Sequence, residues 1–252
     1  MPPPHRAANL TALAALIATL ATSSARAQSD EPTVPRLTSF GGVCIACNLS
    51  HRRLAGVRFI GANFSRTSLA RSDLRGASFF ASDFTQADFS GADLRGASII
   101  GGRFEGAVFA GAVMAGMRAP GAIFTDADLH ATRLDTSELQ GATLARVNAR
   151  GANFNGAILV GADLRAGHFE RATFRAADLT GADLSGGRFA NADFQGASLR
   201  LADLAGADLS GARNLTPEQF ADRCSDPTAR LPRRLPIRPC QAQPPIHTTA
   251  QP

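Results

Sequence analysis

The chain has 252 residues, 44% of them apolar, with 24 Gly, 16 Phe and neither Trp nor Tyr. All 26 basic residues are Arg against 21 acids, and the absence of Lys rules out a phosphate-binding loop that needs one. A formal charge of +5 spread over such a mixture gives little long-range pull on nucleic acid or an anionic membrane.

The first segment reads as an export signal, residues 1–27. His5 and Arg6 make a weakly basic start, residues 7–21 are Ala/Leu-rich but short for a membrane span, and Ala25-Arg26-Ala27 supplies a small-x-small cleavage site. The next residue is Gln28 rather than Cys, so a lipid anchor is not indicated, and no other apolar run is long enough for a transmembrane anchor. These features predict a periplasmic or secreted protein cut after Ala27. Loss of Arg6 and Arg26 then leaves 24 Arg against 21 acids, a charge of +3.

Residues 28–49, with Pro32, Pro35 and a Gly pair, read as an extended leader or N-terminal cap. Residues 50–213 carry a repeat. Stepping by five from Leu54 to Leu209 gives 32 positions, of which 30 are Leu, Phe, Ile or Met, with Ala119 and Ala149 the departures. A helix face returns after three or four residues and a strand face after two, so neither period explains a strict five. The residue two before each centre is small, usually Ala; the one just before it is often Asp; and Gly stands two after it at 19 of the 32 positions.

On an extended backbone, residues two apart point the same way, so the small residue and the large one both face inward and the Asp between them faces out. Gly then permits a sharp, positive-φ corner, and Asp can bond neighbouring backbone in that turn. Four such sides close a twenty-residue square coil. Eight coils at about 4.8 Å each make a rod roughly 38 Å long. Folding the register by twenty stacks Phe64, Phe84, Phe104 and Phe124 in one column, continued by Leu144, Leu164, Leu184 and Leu204. A second column carries Leu54, Leu74, Leu94, Met114, Leu134, Phe154, Phe174 and Phe194. At Ala119 and Ala149 the coil is either underfilled or looped outward, and the Pro120 beside Ala119 suggests a bend there.

This motif, A-(D/N/S)-(L/F)-x-G over about two thirds of the chain, resembles the pentapeptide repeat family. The resemblance implies an all-β solenoid, a right-handed quadrilateral β-helix, here of about eight coils. Such a solenoid is held coil on coil and needs capped ends. Residues 214–226 supply a short C-terminal capping helix: Thr216 as N-cap, Pro217 in the first turn, Gln219 completing a capping box and Phe220 turned toward the last coil. Residues 227–252, with seven prolines, read as an irregular Pro/Arg-rich tail.

Cys44 and Cys47 precede the rod, while Cys224 and Cys240 follow it. A four-Cys zinc site within one chain is excluded by the rod's length, since zinc needs every sulfur within about 2.3 Å. In an oxidising compartment the expected pairs are Cys44 with Cys47 and Cys224 with Cys240, each fastening a cap. Cys-x-x-Cys also suggests thiol redox work, but no thioredoxin-like strand and helix surround it. His5, His51, His130, His168 and His247 share no metal-ligand spacing. The Asp residues mostly hold the outward turn position, so no catalytic, cofactor or metal constellation emerges and the chain reads as a non-enzyme without cofactors.

The outward surface is more informative. The residue after each centre on one face runs Ile60, Phe80, Ile100, Pro120, Gln140, Val160, Thr180, Arg200. This places an apolar interaction stripe, Ile60, Phe80, Ile100, Pro120 and Val160, on the outside of the rod, with Arg75 and Arg95 as a rim. It either docks a protein partner or second copy, or lies under the chain's own leader or tail. The leading expectation is an exported scaffold for protein contact. The resemblance implies an alternative, since some members look like B-DNA and bind type II topoisomerases. Such mimicry requires a strongly negative surface, whereas the repeat tract has 18 Arg and 16 acids, so no nucleic-acid role is expected. Envelope polyanion binding through arginines is a third possibility.

Overall fold

A computed structural model of the protein describes residues 42–220, 228–233 and 235. Five backbone N–H groups per repeat must find partners, and through most of the coil four of them do so on the backbone in the same way. In the repeat Ala92-Asp93-Leu94-Arg95-Gly96, two amides reach the following coil, Leu94 N–H to Val113 O at 2.7 Å and Gly96 N–H to Ala115 O at 3.2 Å. Asp93 N–H reaches back to Ser72 O at 3.0 Å, and Ala92 N–H closes the preceding corner onto Phe89 O at 2.9 Å. The fifth amide, on Arg95, has no backbone partner and donates to Asp93 Oδ1 at 3.2 Å. That leftover amide is why Asp or Asn recurs just before the centre. Asp88, Asp128 and Asn153 accept the same bond from Ser90, His130 and Asn155.

Every fifth residue from Val43 to Asp193 pairs in parallel with the residue twenty further on, without a slip. These are single-residue bridges rather than extended strands, because each wall is interrupted by a corner. Every corner residue, two after a centre, has positive φ, from 50° at Ala81 to 70° at Gly56 and Gly211. Gly fills this position most often, yet Thr136 and Leu201 also occupy it, at a steric cost that the surrounding hydrogen bonds hold in place.

The large centre residues fill the axis and are almost all inaccessible from Leu69 to Phe194. The expected columns are present. Phe64, Phe84, Phe104 and Phe124 stack at 5.5, 5.6 and 5.4 Å between ring centroids. Phe154, Phe174 and Phe194 stack at 4.9 and 5.1 Å. The small residue two before each centre also faces inward, and where it is a hydroxyl it is satisfied: Thr132 Oγ1 donates to Phe109 O at 2.9 Å and Ser137 Oγ to Leu134 O at 2.7 Å.

The bend expected at Ala119 is absent. Arg118 pairs with Glu138, Asn148 pairs with His168, and both alanines are fully buried. The volume missing at these two centres is supplied by Met117 and Val147 in the preceding inward position, where Ala usually stands, and both are inaccessible. Large and small have changed places. Pro120 does not disturb the wall because it occupies the one position whose amide has no backbone partner.

Winding begins earlier than residue 50. Val43 pairs with Asn63 and Asn48 with Ser68, so Cys44 and Leu49 occupy centre positions and part of the expected leader is coil. Cys44 and Cys47 are disulfide-bonded, with Cα atoms 5.5 Å apart. They flank one corner, which brings a centre and the next inward position within disulfide reach.

At the other end, the described part of the expected capping helix is a single 3-10 turn, Pro217–Phe220. Thr216 N–H donates to Gln219 Oε1 at 2.7 Å, the expected capping bond, and Phe220 is buried. Gln219 O accepts Leu199 N–H at 3.1 Å, taking the place of a further coil. Part of the expected tail joins the closure: Arg230 bridges Asp208, and Thr228 Oγ1 accepts Gly206 N–H at 2.7 Å. Asp193, 1% exposed, ties the last coil to this cap through Asn214 Nδ2 at 2.7 Å and to the preceding coil through Arg175 Nη2 at 2.8 Å. The export signal, residues 28–41, the remainder of the helix and tail, and Cys224 and Cys240 lie outside the described residues.

Candidate interaction surface

Four faces follow from the twenty-residue period. The first carries the centres Phe64 and Phe84, the second Leu69 and Phe89, the third Leu74 and Leu94, and the fourth Phe79 and Ile99. The stripe runs along the corner after the fourth face. Phe80 is 53% exposed, Ile60 45% and Val160 37%, while Ile100 and Pro120 are half-buried. Because each stripe residue sits at the unpaired-amide position, its side chain is set outward by the corner rather than by packing.

The structure adds two residues that the column alone did not show. Ile158, 38% exposed, projects from the fourth face beside Val160, and Leu201, 56% exposed, occupies a corner in the last full coil. The signal was available as a departure from the motif, since Ile158 stands where Asp, Ser or Asn is usual and Leu201 where Gly is usual. Val43 and Ile45, in the first described coil, are also exposed.

Arg75 and Arg95 lie along the opposite edge of the fourth face, and both are engaged. Arg75 Nη2 meets Asp73 Oδ2 at 2.7 Å and Arg95 Nη2 meets Asp93 Oδ2 at 2.5 Å. The Arg75 guanidinium holds the Asp73 carboxyl below the usual carboxylate range, and Arg95 does the same for Asp93. The arrangement recurs at Asp163 with Arg165, 2.8 Å, and a pair between adjacent coils joins Asp126 to Arg146, 2.7 Å. These carboxylates are paired locally, which does not build the unbroken negative surface that phosphate mimicry requires. Arg52 and Arg53, the densest arginine pair of the repeat tract, are likewise engaged.

Among the described residues no group of three or more His, Cys, Asp or Glu is placed to hold a metal ion. The axis is filled, and at the C-terminal end lies a solvent-open hollow of about 340 Å³, lined in part by Ala212, Asn214, Leu215 and Pro232. None of the described helices is long and apolar enough to cross a membrane.

Eight overlapping copies of the family described as pentapeptide repeats match the chain, beginning with residues 44–79 and ending with 177–213. The chain belongs to the pentapeptide repeat family. That membership carries the right-handed quadrilateral β-helix, and it is a family of structural and interaction repeats. No curated protein matches.

Similar solved structures include HetL, a pentapeptide repeat protein involved in heterocyst differentiation regulation in the cyanobacterium Nostoc sp. strain PCC 7120. It is 23% identical, over 70% of this chain and 90% of that one, with a TM-score of 0.44. A trypsin-treated variant of QnrB1, described as a plasmid-mediated fluoroquinolone resistance protein, is 18% identical over 74% and 90%, with a TM-score of 0.38. A thylakoid-lumen pentapeptide repeat protein of Arabidopsis thaliana is 26% identical over 54% and 68%, with a TM-score of 0.14. At these scores the likenesses carry no functional inference.

Proposed function

We propose that this pentapeptide repeat protein is an exported, non-enzymatic scaffold whose fourth face docks protein. The observation that carries the reading is the line of outward apolar side chains, Ile60, Phe80, Ile100, Pro120 and Val160, beside a wall held by unbroken coil-to-coil pairing. Such side chains contribute nothing to the axis, and apolar groups aligned on a rigid surface gain most by being covered. Export is supported by the basic start, short apolar run and Ala25-Arg26-Ala27 site.

The test is crosslinking of native protein from cell-envelope and culture fractions, followed by identification of the attached chains. Phe80→Ser together with Ile100→Ser is expected to abolish the crosslinks while leaving the circular dichroism spectrum unchanged. Crosslinks that persist in the folded double variant would retire this face. Mass analysis of the native N-terminus is expected to begin at Gln28; an intact residue 1–27 segment would retire export.

A further inference from the structure

The fourth face has an internal symmetry that points to its occupant. The residue just before each centre runs Arg58, Ser78, Ser98, Arg118 through the first four coils and Glu138, Ile158, Asp178, Ser198 through the next four. Charge on this column is positive in the first half and negative in the second, and the sign changes between Arg118 and Glu138. The stripe column has one apolar match about that point, Ile100 in the third coil with Val160 in the sixth. Ile60 and Phe80 lie in the first two coils, Ile158 and Val160 in the sixth, and Leu201 at the eighth.

We propose that the partner of the fourth face is a second copy of this chain, packed face to face and antiparallel about a two-fold axis between the fourth and fifth coils. The proposal rests on the scaffold reading above and names its partner. In this arrangement the first coil meets the eighth, the second the seventh and the third the sixth. Ile100 then faces Val160 of the other copy, while Ile60 and Phe80 lie opposite its Arg200 and Thr180. Ser78 lies opposite the other copy's Asp178, where a hydroxyl can donate to a carboxylate. Arg118 and Glu138 are already paired within the chain at 3.1 Å, with side chains 59% and 41% exposed. Two-fold packing brings the two pairs together as alternating charges.

A parallel arrangement fails on the same column. A two-fold along the rods would set Arg58 against Arg58, Arg118 against Arg118 and Glu138 against Glu138, and like charges facing each other are unfavourable. The unbroken five-residue register matters here too. Both rods carry the same coil spacing, so side chains that meet at one level meet at every level. A closed two-fold contact is the commonest form of homo-oligomer and leaves no open surface for further growth.

The experiment uses the full chain. Sedimentation equilibrium across a concentration series is expected to give an average mass rising from 26.2 kDa toward twice that value. Arg118→Glu should weaken association by about tenfold or more, because it sets like charges opposite each other. Adding Glu138→Arg restores the alternation and should restore the dimer.

Orientation is read by crosslinking with a short thiol reagent, over the wild-type background. The pair Ile60→Cys with Arg200→Cys is expected to give dimers, since within one rod these positions are seven coils apart, about 34 Å at 4.8 Å per coil. Ile60→Cys alone is expected to give none, because the two copies of that residue sit at opposite ends. A chain that remains monomeric at every concentration overturns the proposal, as do dimers from Ile60→Cys alone, or crosslinks confined to one chain. The scaffold reading falls by a different result, the persistence of native crosslinks to other proteins when Phe80 and Ile100 are both changed to Ser.

Discussion

Phe104 and Phe80 are the same residue type a little over one coil apart, one before the wall and one behind it, and truncating each tests the winding directly. Phe104 is inaccessible. Its ring stacks on Phe84 and Phe124 at 5.6 and 5.4 Å and lies against Phe89 and Phe109 at 5.9 and 5.7 Å. Phe104→Ala removes those contacts and leaves a cavity. The walls cannot close on it, because Phe104 N–H to Ile123 O at 2.7 Å and Phe84 N–H to Arg103 O at 2.8 Å fix the coils on either side. A fully buried Phe→Ala change costs about 3–5 kcal/mol, and a site unable to collapse falls in the upper part of that range. Phe80, 53% exposed, loses no axial packing, so Phe80→Ala should stay within about 0.5 kcal/mol. Guanidinium unfolding followed by far-UV circular dichroism measures both. Because a solenoid can lose coils in segments, the midpoint and the slope are compared together. Equal costs for the two variants, or less than about 1 kcal/mol for Phe104→Ala, would refute an axis filled by the centre residues.

The corners give a second test: Thr136 is β-branched and held at φ 57°, so Thr136→Gly should raise stability by about 0.5–1 kcal/mol once the extra freedom of the unfolded chain is subtracted. A loss of stability in the same denaturation assay would show that the corner is not strained. Proline tolerance should follow amide use. Ala115→Pro, at a position equivalent to Pro120, is expected to leave the fold within about 1 kcal/mol, whereas Gly116→Pro removes a 2.9 Å bond to Asp135 O at φ 64° and should cost about 3 kcal/mol or more. Circular dichroism and thermal melting separate the two, and equal tolerance would contradict the hydrogen-bond scheme.

Acid sensitivity should centre on the C-terminal closure. Burial raises the Asp193 pKa, but Asn214, the Gln195 amide and Arg175 outweigh it and leave the group below the ordinary carboxylate range. A depressed folded-state value means that the stabilisation is complete above the unfolded value of about 3.9 and is lost as pH falls through the folded value. Stability should therefore be flat from neutrality to about pH 5 and decline below about pH 4, with a shallower decline in Asp193→Asn. An unchanged acid profile in that variant would remove Asp193 from the closure.

A period of five with one large residue, one small residue and one Asp settles which side chains face inward, because alternation along each wall leaves no other assignment. The sequence alone thus determined the axis columns, the left-handed corners and the local Asp bonds, all of which depend on neighbours within a few residues. The exchange of volume between Met117 and Ala119, and between Val147 and Ala149, broke the pattern at the centres, and only packing showed that total volume was conserved and that no bend was needed. Where winding begins was likewise invisible: Cys44 and Leu49 count as centres because Asn63 and Ser68, nineteen residues further on, accept their amides, a fact written in the next coil rather than in the segment itself. The same holds for Asp193, whose burial is decided by Asn214 folding over the last coil. How far Ile60, Phe80, Ile158 and Leu201 stand out from the wall is set by neighbours one coil away, so the position of the stripe is written in the sequence and its exposure is written in the stack.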